Sequence, residues 1–145
     1  MARSAVLLLL VATVVAAVDL AHKAVVIADR GEGLLYHERS AAYILGVAIG
    51  ALAWCVALVA TRSLALALAG GLLLGGATGN AISWALWPDY EGTPNPFFLG
   101  DEELGIAFNL ADVFVVASVF VVLPVAIVAF VVRDRDRLGE RVPLR

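Results

Sequence analysis

Apolar residues in this chain fall in runs too long for the core of a soluble domain of its size. Four runs reach the roughly 20 helical residues needed to cross a hydrocarbon layer of about 30 Å. They lie at about 5–26, 41–60, 64–86 and 106–132. The pattern predicts an all-α membrane protein, one integral membrane domain over residues 1–145 with four transmembrane helices, short external loops and a charged tail at 133–145. The second and third runs hold no charged residue and only Thr61, Arg62 and Ser63 lie between them, which predicts a tight antiparallel turn at the membrane surface. The first run has the alternative of a cleavable secretory signal, with Arg3 ahead of it and Ala16 and Ala17 within it. It outlasts the usual apolar stretch of about 7–15 residues in such signals, so an uncleaved first span is the simpler reading.

Charge sets the expected orientation. Arg3, Arg62, Arg133, Arg135, Arg137, Arg141 and Arg145 fall on one side, against Arg30 and Arg39 on the other. An excess of Lys and Arg marks the cytoplasmic side, so both termini are expected inside. The 87–105 connection carries Asp89, Glu91, Asp101, Glu102 and Glu103 with no Lys or Arg, as an external loop would. That loop and the one at 27–40 are too short for a separate catalytic domain, which confines any chemistry to the bilayer and its edge.

Composition agrees: 62% of the 145 residues are hydrophobic and 16% charged, against about 25% charged in soluble domains. The net charge of -3, without an extended basic patch, leaves no electrostatic footprint for nucleic acid. Cys55 is the only cysteine, so an internal disulfide or a redox pair is impossible, and its place in an apolar run suits helix packing. His22 and His37 lack a partnered spacing, so neither metal nor cofactor is expected. Gly71, Gly75 and Gly79 recur at intervals of four, as do Gly46 and Gly50, and such stripes permit close helix approach. Pro124 predicts a kink in the fourth span.

The informative residues are the polar ones inside the apolar runs, because such groups face a bundle interior or a water-filled cavity. Asp19 and Lys23 share a face of the first helix, Asn80 and Ser83 of the third, and Asn109 and Asp112 of the fourth. At about 1.5 Å per residue these pairs come to similar depths. They predict one buried polar site that opens toward the external face, with a structural hydrogen-bond network as the alternative. Asp19 and Lys23 suit a structural ion pair as well as a functional one.

These residues resemble the motifs of the lipoprotein signal peptidases, four-span intramembrane aspartic proteases of bacteria. Asp19-Leu20-Ala21-His22-Lys23 is similar to the first-span motif, an Asp followed by a Lys four residues on. Gly75-Gly76-Ala77-Thr78-Gly79-Asn80-Ala81-Ile82-Ser83-Trp84 is similar to GGxxGNxxDR, and Phe108-Asn109-Leu110-Ala111-Asp112 matches FNxAD in full. A further motif, NxGxAF, is present only in eroded form as Glu38-Arg39-Ser40-Ala41-Ala42-Tyr43. The resemblance implies that Asp112 belongs to a catalytic aspartate dyad, that the other dyad position falls on Ser83, and that Asn80, Asn109, Asp19 and Lys23 orient the site. It also implies a place in the bacterial cytoplasmic membrane, membrane lipids and lipid-modified prolipoproteins as partners, and no cofactor.

The departures bear on activity. An aspartic protease divides one proton between two carboxyls, one acting as general base and the other polarising the scissile carbonyl. Ser83 has no ionisation to take either part, and Trp84 replaces the Arg beside it. General acid or base assistance is worth typically 10²–10⁴ in rate. Asp89, after Pro88, is a candidate to fold back and supply the second carboxyl, Asp101, Glu102 and Glu103 suit a solvated loop, and Ser83 with Lys23 as its base is another arrangement. Three functions follow: a signal peptidase that cleaves diacylglyceryl-modified prolipoproteins, a homologue that binds lipidated peptides or a membrane partner without cutting, and a structural or transport subunit.

Overall fold

The computed structural model describes residues 1–30, 34–90, 92–100 and 105–140. Four of its helices are long and apolar enough to cross a membrane: α1 (Ala2–Arg30), α2 (Ala41–Ala60), α3 (Leu64–Leu86) and a fourth crossing over Leu110–Arg133. The last is built from α4 (Leu110–Ala117), a π-helical turn (Ser118–Val122) and α5 (Leu123–Glu140). The expected all-α architecture of four spans is therefore what the chain adopts. The helix continues past Arg133 into the expected charged tail, as far as Glu140.

Helix α3 is the central element, packed on α1, α2 and α4. Its apolar window is 50% buried, against 11% for the fourth crossing. Glycine makes this centrality possible. A Cβ at Gly75 would lie 2.6 Å from Cβ of Val15 and 2.7 Å from the Ala12 carbonyl oxygen, and one at Gly76 would lie 2.6 Å from the Ala111 carbonyl oxygen. Adjacent glycines thus admit α1 on one face of α3 and α4 on the other. The stripe on α2 behaves differently from expectation: nothing lies within 4 Å of a Cβ at Gly46 or Gly50, so it faces away from the bundle. Two side chains also bond to the α3 backbone. Cys55 donates to the Gly70 carbonyl at 3.2 Å and Ser118 to the Ala69 carbonyl at 2.7 Å, which gives Cys55 the packing role expected of it.

The turn between α2 and α3 is as tight as predicted. Arg62 takes a left-handed conformation, φ 60°, the Thr61 hydroxyl donates to the Leu58 carbonyl at 2.6 Å, and the Ser63 hydroxyl caps α3 by accepting from Leu66 N. In the fourth crossing the irregularity expected of Pro124 takes the form of the π turn just before it. Leu123 N–H bonds back to the Ser118 carbonyl, so the ladder has already widened where proline withdraws its N–H.

The connections between α1 and α2 and between α3 and α4 hold more order, among the described residues, than short loops imply. Strand β1 (Leu35–Glu38) pairs antiparallel with β2 (Gly92–Asn95), placing Leu35 opposite Asn95. Strand β3 (Phe97–Leu99) pairs with β4 (Ile106–Phe108), placing Phe97 opposite Phe108. Residues 106–108 were expected in the fourth span and are instead a strand. Asn109, extended at φ -129° and ψ 178°, is the N-cap of a helix that begins at Leu110. Ile106, Ala107 and Phe108 are as apolar as the helix they precede, so an apolar run by itself does not separate the two.

Candidate functional site

The site is organised around the start of α4. A helix N-terminus leaves N–H donors without intrahelical partners, and inside a membrane no water is at hand to take them. Here two side chains take them. The Asn109 side chain accepts from Asp112 N at 3.1 Å, and Asp19 Oδ1, reaching across from α1, accepts from Ala111 N at 2.9 Å. Asp112 returns the cap by accepting from Asn109 N at 3.2 Å through Oδ2. Asn109 and Asp112 therefore meet, as their spacing of three predicts, through a reciprocal capping box, with Asn109 as the N-cap and not inside the helix.

From this cap a line of hydrogen bonds runs through the bundle. Lys23 Nζ donates to Asp19 Oδ2 at 2.7 Å and to Asn80 Oδ1 at 2.8 Å, and Asn80 Nδ2 donates to Asp112 Oδ1 at 3.1 Å. On the other flank Asn109 Nδ2 donates to Asn95 Oδ1 at 2.8 Å and to the Pro94 carbonyl at 3.4 Å. Asp19, Lys23 and Asn109 are completely buried, whereas Asp112 and Asn80 are half-buried. Gly79 lets the cluster close, since a Cβ there would lie 2.8 Å from Asp19 Oδ2. Lys23 pairs with Asp19, and Asp112 is the more exposed of the two carboxyls.

The structure thus brings together Asp19, Lys23, Asn80, Asn109 and Asp112, from three helices. Ser83 lies one turn beyond Asn80 and is also completely buried, yet its hydroxyl has no hydrogen-bond partner among the described residues. It makes no bond to Asp112. Lys23 is committed to Asp19 and Asn80, so no Ser83–Lys23 dyad forms. Asp89 is exposed on the 3₁₀ turn Pro88–Tyr90 and adds no hydrogen bond to the cluster. Asp101, Glu102 and Glu103 lie outside the described residues.

Sequence reading missed Asn95. It is 3% exposed on β2, touches Asn109 directly, and leaves its Nδ2 without a partner among the described residues. The signal was weak: Pro94-Asn95-Pro96 reads as a loop, and only pairing with β1 makes Gly92–Asn95 a strand, which packs against α3. The residues just after this strand are fastened to α1: Arg30 donates to the Pro96 carbonyl at 3.2 Å, and the ring of His22 stacks 5.1 Å from Phe97, the first residue of β3. Phe97 in turn packs 5.5 Å from Phe108.

Models of known families, curated proteins and solved structures were compared with the chain, and none matches. Its chemistry therefore rests on its own groups. Capping and charge compensation account for Asp19, Lys23 and Asn109. The groups with capacity beyond those duties are the half-buried Asp112 carboxylate, the Ser83 hydroxyl and the Asn95 amide. They can donate to or accept from a polar ligand, and among the described residues they include one carboxyl where two-carboxyl hydrolysis needs two.

Proposed function

We propose that this protein is lipoprotein signal peptidase-like, a multi-pass protein of the bacterial cytoplasmic membrane with both termini inside, and that it recognises lipid-modified prolipoprotein signal peptides without cleaving them. The observation that carries this reading is the Asp112 carboxylate, which accepts from Asn80 and from the Asn109 backbone with no second carboxylate bonded beside it among the described residues. The motif resemblance supports the substrate class; the unpaired carboxylate argues against turnover by a shared-proton mechanism.

A second reading, an active peptidase, is favoured by the half-buried position of Asp112 at the outer edge of the cluster. A cleavage and binding assay separates the two. The full chain in detergent is given a diacylglyceryl-modified prolipoprotein, with Asp112→Asn as control. Retention of the lipidated substrate over an unlipidated one, with no product, is the expected result. Product from the natural chain that disappears in Asp112→Asn overturns it in favour of the peptidase.

A further inference from the structure

The orientation of the Asn95 amide is dictated by its neighbours. Asn109 must present Oδ1 to Asp112 N to cap α4, so it turns its Nδ2 toward β2. Asn95 must then present Oδ1, which places its own Nδ2 on the far side. That Nδ2 is buried and has no partner among the described residues. A buried amide donor left unpaired forfeits the hydrogen bond it would make in water. The surrounding backbone has little else to donate, since Pro94 and Pro96 on either side have no N–H. A donor fixed in direction, in a segment poor in donors and joined to Asp112 through Asn109, fits a carbonyl oxygen.

We propose that Asn95 is the residue that binds a backbone carbonyl of the peptide recognised at this site, through Nδ2–H donation. This rests on the reading of the protein as a binder of lipidated peptides and names the group that holds the peptide main chain. Asn95 is 3% exposed, so binding of the peptide includes a displacement that uncovers Nδ2. Specificity from such a contact is toward the main chain, leaving the lipid and side chains to the apolar surroundings.

The test is a double cycle of protein and ligand. The full chain in detergent is titrated with a diacylglyceryl-modified signal-region peptide, and with versions in which each peptide bond flanking the lipidated residue is replaced in turn by an alkene that lacks the carbonyl. One replacement should weaken binding to the natural chain by about tenfold. Asn95→Ala should bind the unmodified peptide about tenfold more weakly and no longer distinguish it from that alkene version. If Asn95→Ala weakens every peptide equally, its role is structural and the proposal is wrong. If no alkene replacement affects the natural chain, the proposal fails without recourse to a variant. Normal binding of the lipidated peptide with either of those results leaves the functional reading standing. Equal binding of lipidated and unlipidated peptides by the natural chain removes both.

Discussion

Lys23 Nζ lies 2.8 Å from Asn80 Oδ1, and this contact sets the direction of the hydrogen bond from Asn80 to Asp112. A lysine ammonium only donates, so Asn80 must turn its oxygen to Lys23 and its Nδ2 to Asp112. Asp112 also receives Asn109 N from the other side. It is therefore the acceptor on which donors converge, while Asp19 receives both Lys23 and Ala111 N. The cluster holds one compensated carboxylate in the interior and one partly accessible carboxylate at its edge.

Removing the lysine should be costly. Lys23→Met leaves Asp19 charged and unpaired in a completely buried place, and breaking such a pair typically costs about 3–5 kcal/mol. The double variant Lys23→Met with Asp19→Asn should recover a large part of that loss, read as thermal unfolding of the detergent-solubilised chain. Equal loss in single and double variants would show that Lys23 matters for packing and not for charge.

The glycine stripes separate cleanly. Gly75→Ala drives a methyl against the Ala12 carbonyl and Val15, and overpacking of this kind costs typically 1–3 kcal/mol. Gly46→Ala and Gly50→Ala meet nothing within 4 Å and should stay within about 0.5 kcal/mol of the natural chain. Unfolding midpoints of the three variants in one detergent check this, and a strongly destabilised Gly46→Ala would contradict the exposed placement of that face.

At the cap, Asn109→Ala removes the acceptor for Asp112 N together with the donor to Asn95. Loss of an N-cap costs about 0.5–2 kcal/mol. Asn109→Ser keeps a capping acceptor and should retain more stability while being too short to hold the link to Asn95. Hydrogen exchange at Thr93 and Asn95 reads that link: faster exchange in Asn109→Ser with α4 still protected is the expected pattern, and unchanged exchange contradicts it.

Position 83 tests the missing carboxyl directly. Ser83 is completely buried and its hydroxyl has no hydrogen-bond partner among the described residues, so a carboxyl there takes no partner away from the cluster. If the chain is a binder for want of a second carboxyl, Ser83→Asp should yield product in the prolipoprotein cleavage assay where the natural chain yields none, and Asp112→Asn added to it should abolish that product. No product from Ser83→Asp contradicts position 83 as the place of the second carboxyl.

The physical origin of what was legible is plain in particular residues. Four spans could be read from the chain because a membrane demands about 20 apolar residues per crossing wherever they sit, and Asp19, Lys23, Asn80, Asn109 and Asp112 stood out because polar groups in such runs are costly. Those properties belong to the sequence itself. The tertiary structure alone decided that Ile106–Phe108 is a strand, that Gly46 and Gly50 face outward, and that Asn95 bonds to Asn109 while the Ser83 hydroxyl has no partner among the described residues. Each depends on which surfaces meet: strand pairing of 92–95 with 35–38 joins segments far apart in the chain, and neither apolar runs nor motif spacing carries that information. Spacing tells which residues lie near one another along a helix; the direction of a hydrogen bond from Lys23 through Asn80 to Asp112 exists only once three helices have packed.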